Sequence, residues 1–116
     1  MNQMALVGRL VKEVELKEIG EGKIVTNNTL AVKRRYKNEQ GQQTDFIPVV
    51  AWGPVAKLLH TYCEKGHLVG LSGRMQSRSY VNKEEETVFL VEMVIDELHF
   101  LQGRKIQDPS LLEVEV

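Results

Sequence analysis

Residues 45–53 read Asp45-Phe46-Ile47-Pro48-Val49-Val50-Ala51-Trp52-Gly53. In an extended strand, side chains two apart share a face, so Phe46, Pro48, Val50 and Trp52 fall on one side and Ile47, Val49 and Ala51 on the other. Both sides are apolar. Such a strand buries one face in a core and covers the other with something else, and only one of its faces carries large flat rings. Residues 68–80 repeat the asymmetry with charge added: Arg74, Gln76, Arg78 and Tyr80 share a parity against Val69, Leu71, Gly73, Met75, Ser77 and Ser79. The second set suits a packed interior. The first interleaves guanidinium groups with a phenol ring, which suits a polyanion carrying stackable bases.

Composition bounds the rest. At 116 residues and 42% hydrophobic, the chain predicts one domain, with a real core and something to gain from oligomerisation. Neither a charged-then-apolar leader nor an apolar run near the ~20 residues of a bilayer span is present, so a soluble, cytoplasmic protein without membrane contact is expected. Cys63, the one cysteine, has no partner for an internal disulfide, which agrees with a reducing compartment. The net charge of −1 hides a split: residues 1–83 carry 13 Lys/Arg against 7 Asp/Glu, and residues 84–116 carry 2 against 9.

Working outward, Gln3 to Leu16 reads as one long first strand, with Gly8 as a bulge or bend of the kind a small barrel needs at a corner. Gly20-Glu21-Gly22 supplies a turn, and Lys23 to Val32 reads as a second, β-branched strand. It runs into Lys33-Arg34-Arg35-Tyr36-Lys37. A basic run by itself is usually a solvated surface. A ring set among four cations fits a base stacked on Tyr36 with phosphates at the flanking side chains. Asn38 to Gln43 then reads as a mobile loop.

After Gly53, Pro54 opens a helix. Val55, Leu58, Leu59 and Tyr62 form its apolar stripe, Lys65 falls in the last turn and Gly66 ends it. His60, Cys63 and His67 are the residues that suggest a metal, but no fourth ligand at finger spacing accompanies them. Cys63 is therefore read as a small buried hydrophobe and His60 as solvent-facing, with no metal or other cofactor expected. No phosphate-cradling loop, nucleophile elbow or carboxylate pair is visible, and Glu84-Glu85-Glu86 reads as a hairpin tip. The last strand, Thr87 to Leu101, sets Phe89, Val91, Met93 and Ile95 against Val88, Leu90, Glu92, Val94 and Asp96. Phe89 offers a fifth stacking ring, but in register with Val, Met and Ile it is assigned to the core and left out of the stacking set.

The order strand, strand, strand, helix, strand, strand predicts an all-β, five-stranded OB-fold barrel with one helix between strands three and four. The domain spans residues 1–101, with 102–116 as a short C-terminal tail. Over 1–101 the sequence resembles the bacterial single-stranded DNA-binding protein family. The likeness lies in Asn2-Gln3-Met4-Ala5-Leu6-Val7-Gly8-Arg9-Leu10, Thr29-Leu30-Ala31-Val32, Asp45-Phe46 through Trp52-Gly53, and Gly66 followed by Val69 to Gly73. The resemblance implies an OB barrel, usually a homotetramer, whose DNA stacks on aromatics at Tyr36, Phe46, Trp52 and Tyr80. Long members end in an acidic tip that recruits replication and repair enzymes. The present sequence ends Glu113-Val114-Glu115-Val116 and resembles the short forms, so no tail-mediated partner is expected.

The function expected is non-catalytic, non-sequence-specific coating of single-stranded DNA in replication, recombination or repair. Tyr36, Phe46, Trp52 and Tyr80 stack on bases, while Lys33, Arg34, Arg35, Lys37, Arg74 and Arg78 meet phosphates. Two alternatives accompany it: a dimeric, primosome-type OB protein, and an assembly barrel whose aromatic face is a protein interface.

Overall fold

The structure, a computed structural model, describes residues 1–102; the final fourteen residues, which make up nearly all of the expected tail, lie outside the described residues. Six strands and one helix follow in the order β1 (Met4–Leu10), β2 (Lys17–Ile19), β3 (Lys23–Lys33), β4 (Thr44–Trp52), α1 (Gly53–Tyr62), β5 (Leu68–Val81) and β6 (Thr87–Phe100). They form one sheet in the order β1-β5-β6-β4-β3-β2, and β1 also pairs with β3, so the sheet closes into a ring. This is the expected OB arrangement. The helix falls between β4 and β5 because the predicted first strand stops early, at Leu10, and a short additional strand, Lys17–Ile19, follows beyond its predicted end.

The division has a local cause. β1 ends at Leu10, and the chain is then held by Asn28, a buried side chain in β3. Its Oδ1 accepts from the Lys12 and Thr29 amides at 3.1 and 2.7 Å, and its Nδ2 donates to the Lys12 carbonyl at 2.9 Å. A side-chain amide here replaces the ladder, so the alternation at Val14 and Leu16 never becomes strand. Chain resumes as β2, which pairs with Lys23–Val25 across Gly20 and Gly22, both at positive φ.

Gly8 makes no bulge. It pairs regularly with Val69, and one residue later β1 crosses from β5 to β3, pairing Arg9 with Ala31. A Cβ on Gly8 would lie 2.4 Å from the Ala31 carbonyl oxygen, so glycine is required for close approach of two backbones. The bulge lies instead between β5 and β6. Ser72 faces Glu97 while Gly73 faces Ile95, which leaves Asp96 as the extra residue. At Gly73 a Cβ would sit 1.9 Å from the Val94 oxygen.

Inside the ring, Leu10, Leu30, Val49, Ala51, Val69, Leu71, Met93 and Ile95 form the core, closed at one end by Ala56, Leu59 and Cys63 of the helical segment. Each large side chain buried here contributes about 1.5–3 kcal/mol. The helix stops at Tyr62, where Cys63 is already extended, so Lys65 and Gly66 lie in a following turn. Leu58, placed in the stripe, is 42% exposed, and Ala56 takes its position against the core. Ten residues long, α1 is too short to cross a membrane, and no helix among the described residues is long and apolar enough to do so.

Phe89 departs from expectation as well. It is 76% exposed, with Val91 and Met75 on the same side also exposed. β4 meets β6 only at Val49–Met93 and Val50–Val94. Beyond those pairs the β5–β6 hairpin projects past the ring, and its inward parity has no opposing layer to pack on.

Substituting Gly8 or Gly73 by Ala is expected to lower stability in urea denaturation by about 3 kcal/mol or more, because the clash is with backbone. Gly22→Ala, at φ 76 with open space around it, should lose only about 1 kcal/mol.

Candidate nucleic-acid interface

The parity that sends Val49 and Ala51 inward sends Phe46, Val50 and Trp52 outward, and register carries this outer face across four neighbouring strands. Val25 of β3 lies opposite Trp52, Asn27 opposite Val50, and Ala31 opposite Phe46. On the other side Val50 neighbours Val94 of β6, while Gln76 of β5 stands opposite Glu92 and Arg78 opposite Leu90. Val25, Val50 and Val94 form a second buried cluster on this outward face. It is an apolar floor covered by the side chains around it.

Of the expected rings, Trp52 borders that floor. Phe46, Trp52 and Tyr80 are 59%, 43% and 47% exposed, and Tyr36, in the β3–β4 connection, is 79% exposed. Phe46 and Trp52 share β4, six residues or about 20 Å apart. Trp52 is the final β4 residue and also caps α1, so sheet and helix both fix its backbone. It borders two hollows. One, of about 410 Å³, includes Gly22, Ile24 and Gly53. The other, of about 260 Å³, is a groove between Trp52 and Arg78 with Val25 and Val50 in its wall.

The loop carrying Tyr36 is closed on itself. Asn38 Oδ1 accepts from the Gln40 and Gln42 amides at 3.0 and 2.8 Å, and the Asn38 amide donates to the Gln42 carbonyl at 3.1 Å. Gly41, at φ 82, makes the reversal. The polar run Asn38 to Gln43, expected to be mobile, is thus organised as an Asx-type turn that holds the two strand ends together.

The six expected phosphate contacts divide into two groups. Lys33, Arg35 and Lys37 are exposed and make no ion pair among the described residues. Arg34, Arg74 and Arg78 are each engaged by a carboxylate at 2.8 Å: Asp45, Asp96 and Glu92. The first two pairs are open to water on both sides, whereas Glu92 is 4% exposed. Exposed pairs are worth about 0–1 kcal/mol, so solvent or another anion readily exchanges with their carboxylates. Stripping a buried carboxylate of its partner costs about 3–5 kcal/mol.

Glu92 was not singled out in the sequence. Its Oε2 accepts from Arg78 Nε and Gln76 Nε2, both at 2.8 Å. The available signal was a lone acid inside the apolar run Val88 to Ile95, sharing parity with Val94. Arg9 was also missed: exposed, it lies opposite Ala31, which lies opposite Phe46, and its Nη1 donates to the Gly66 carbonyl at 3.0 Å. Elsewhere, His60 is exposed and Cys63 and His67 are buried.

A closed small sheet with rings and cations exposed on its outer face defines a binding module of the OB class. The profile described as the single-strand binding protein family matches residues 1–101. The chain is 47% identical over 112 residues to single-stranded DNA-binding protein 3 of Clostridium acetobutylicum, covering 96% of this chain and 78% of that one. It is 42% identical over 104 residues to single-stranded DNA-binding protein B of Bacillus subtilis, covering 89% and 92%. To single-stranded DNA-binding protein 2 of Staphylococcus aureus it is 45% identical over 105 residues, covering 90% and 76%. The chain belongs to the single-strand binding protein family.

Proposed function

We propose that the protein binds single-stranded DNA without sequence specificity and without catalysis, as a cytoplasmic coat for strands exposed during replication, recombination or repair. The observation that carries this reading is the shared outer face on which Phe46 and Trp52 stand exposed on β4, with Tyr80 exposed on β5, the next strand but one, and cations around them. Bases stack on these rings and on Tyr36, each contact worth about 1–3 kcal/mol. Lys33, Arg35 and Lys37 meet phosphates directly, and Arg34 and Arg74 do so by exchanging an exposed carboxylate for a phosphate oxygen. Duplex DNA binds poorly because its bases are already stacked on each other. The relatives' names and the family assignment support the same reading.

The working form proposed is a homotetramer, as the family resemblance implies. Exposed apolar residues on the opposite side of the β5–β6 hairpin, Met75, Phe89 and Val91 among them, support burial against other copies.

Titration with oligo(dT) at low salt is expected to quench Trp52 emission, and Trp52→Ala should weaken binding by about 1–3 kcal/mol, roughly 5- to 150-fold. Absence of quenching would favour a protein-interface role for the rings. Native mass spectrometry should give four chain masses; two would favour the primosome-type reading.

A further inference from the structure

Glu92 poses a problem for any polyanion-binding surface. Its carboxylate is buried under the outer face, beside Trp52, in the groove whose floor is Val25 and Val50. A negative charge placed there repels phosphates, yet it takes two hydrogen bonds of 2.8 Å from neighbouring β5 side chains, one of them from Arg78. The pair is net neutral. Unlike Asp45 and Asp96, which are open to water, Glu92 has little solvent to turn to if Arg78 leaves for a phosphate.

We propose that the groove between Trp52 and Arg78 is a nucleobase subsite, in which Glu92 is a positioning residue that fixes the Arg78 guanidinium towards a base and keeps it from serving as a phosphate contact. This rests on reading the outer face as a single-stranded DNA surface, and reassigns one of its six cations. With Nε committed to Glu92, the remaining guanidinium hydrogens are donors. Their complement is a ring carbonyl or ring nitrogen of a base lying on the apolar floor against Trp52. A strongly hydrated phosphate is poorly matched to that floor. Arg is required in this role because its planar fork bonds the carboxylate with one edge and presents donors with another.

Salt dependence separates the roles, since each phosphate contact on a single strand contributes about 0.7 to the slope of log K against log salt. Binding of labelled oligo(dT) is measured by anisotropy over a series of salt concentrations. Lys37→Ala, removing an exposed cation, should flatten the slope by about 0.7. Removing the pair together, Arg78→Ala with Glu92→Gln, should weaken binding about three- to tenfold at every salt concentration, as for a lost neutral hydrogen bond, with the slope of the parent protein. Glu92→Gln leaves the Arg78 charge uncompensated and should steepen the slope by about 0.7. A slope flattened by the double variant as much as by Lys37→Ala overturns the proposal, as does a Glu92→Gln slope equal to that of the parent. If the Glu92 variants do not fold, Arg78→Lys decides, because it keeps the charge beside Glu92 and loses the fork: weaker binding at the parent slope is expected, and binding equal to the parent's overturns the proposal. Failure of the parent protein itself to bind would overturn the proposed function and this subsite together.

Discussion

Closure of the sheet depends on two backbones meeting with nothing between them. β1 must leave β5 and reach β3 within a residue or two, and at Gly8 the Ala31 carbonyl occupies the space a side chain would need. The same corner is tied by the Leu10 amide to the His67 carbonyl at 3.1 Å, and by the Gly66 amide to the Leu10 carbonyl at 2.7 Å. With the ring shut there, the apolar set Leu10, Leu30, Leu71 and Met93 is buried from all sides. The outward parity of β4, β5 and β6 is left to face solvent. The rings are exposed because the core is complete without them.

That outer face is built in two levels. A row of valines from three adjacent strands is buried beneath the larger side chains, and Trp52 borders it. Among the cations the same logic sorts pinned from unpinned: Lys33 at the end of β3 and the loop residues Arg35 and Lys37 are exposed, while strand residues Arg74 and Arg78 are anchored to acids of β6. Anchoring costs attraction for phosphate but lowers the entropy lost when a long side chain is fixed on binding.

Much of this was legible in the sequence because period-two alternation survives in β4 and in the first half of β5, where Val69 and Leu71 are buried as the parity implies, whereas Met75, Ser77 and Ser79 of the same parity are exposed on the projecting hairpin. The reading of Gln3 to Leu16 as one strand failed because the Asn28 side chain, from a distant part of the chain, satisfies Lys12 and ends the ladder. Phe89 was misplaced for a related reason: alternation states which side a residue faces, not whether another layer covers that side. Gly8 was marked as special, but its role as a point of close approach depends on Ala31, more than twenty residues away. The carboxylates that engage Arg34, Arg74 and Arg78 lie 11, 22 and 14 residues from them, so neither the pairs nor the burial of Glu92 could be read from local pattern.

Photo-crosslinking tests the central claim most directly. Oligo(dT) carrying 5-iodouracil at successive positions is irradiated with the protein, and the attached peptides are identified by mass spectrometry. The account predicts attachment at Phe46, Trp52 and Tyr80 on one face of the sheet and at Tyr36 in the β3–β4 connection. Attachment confined to α1, around Lys57 and Leu58, would contradict it.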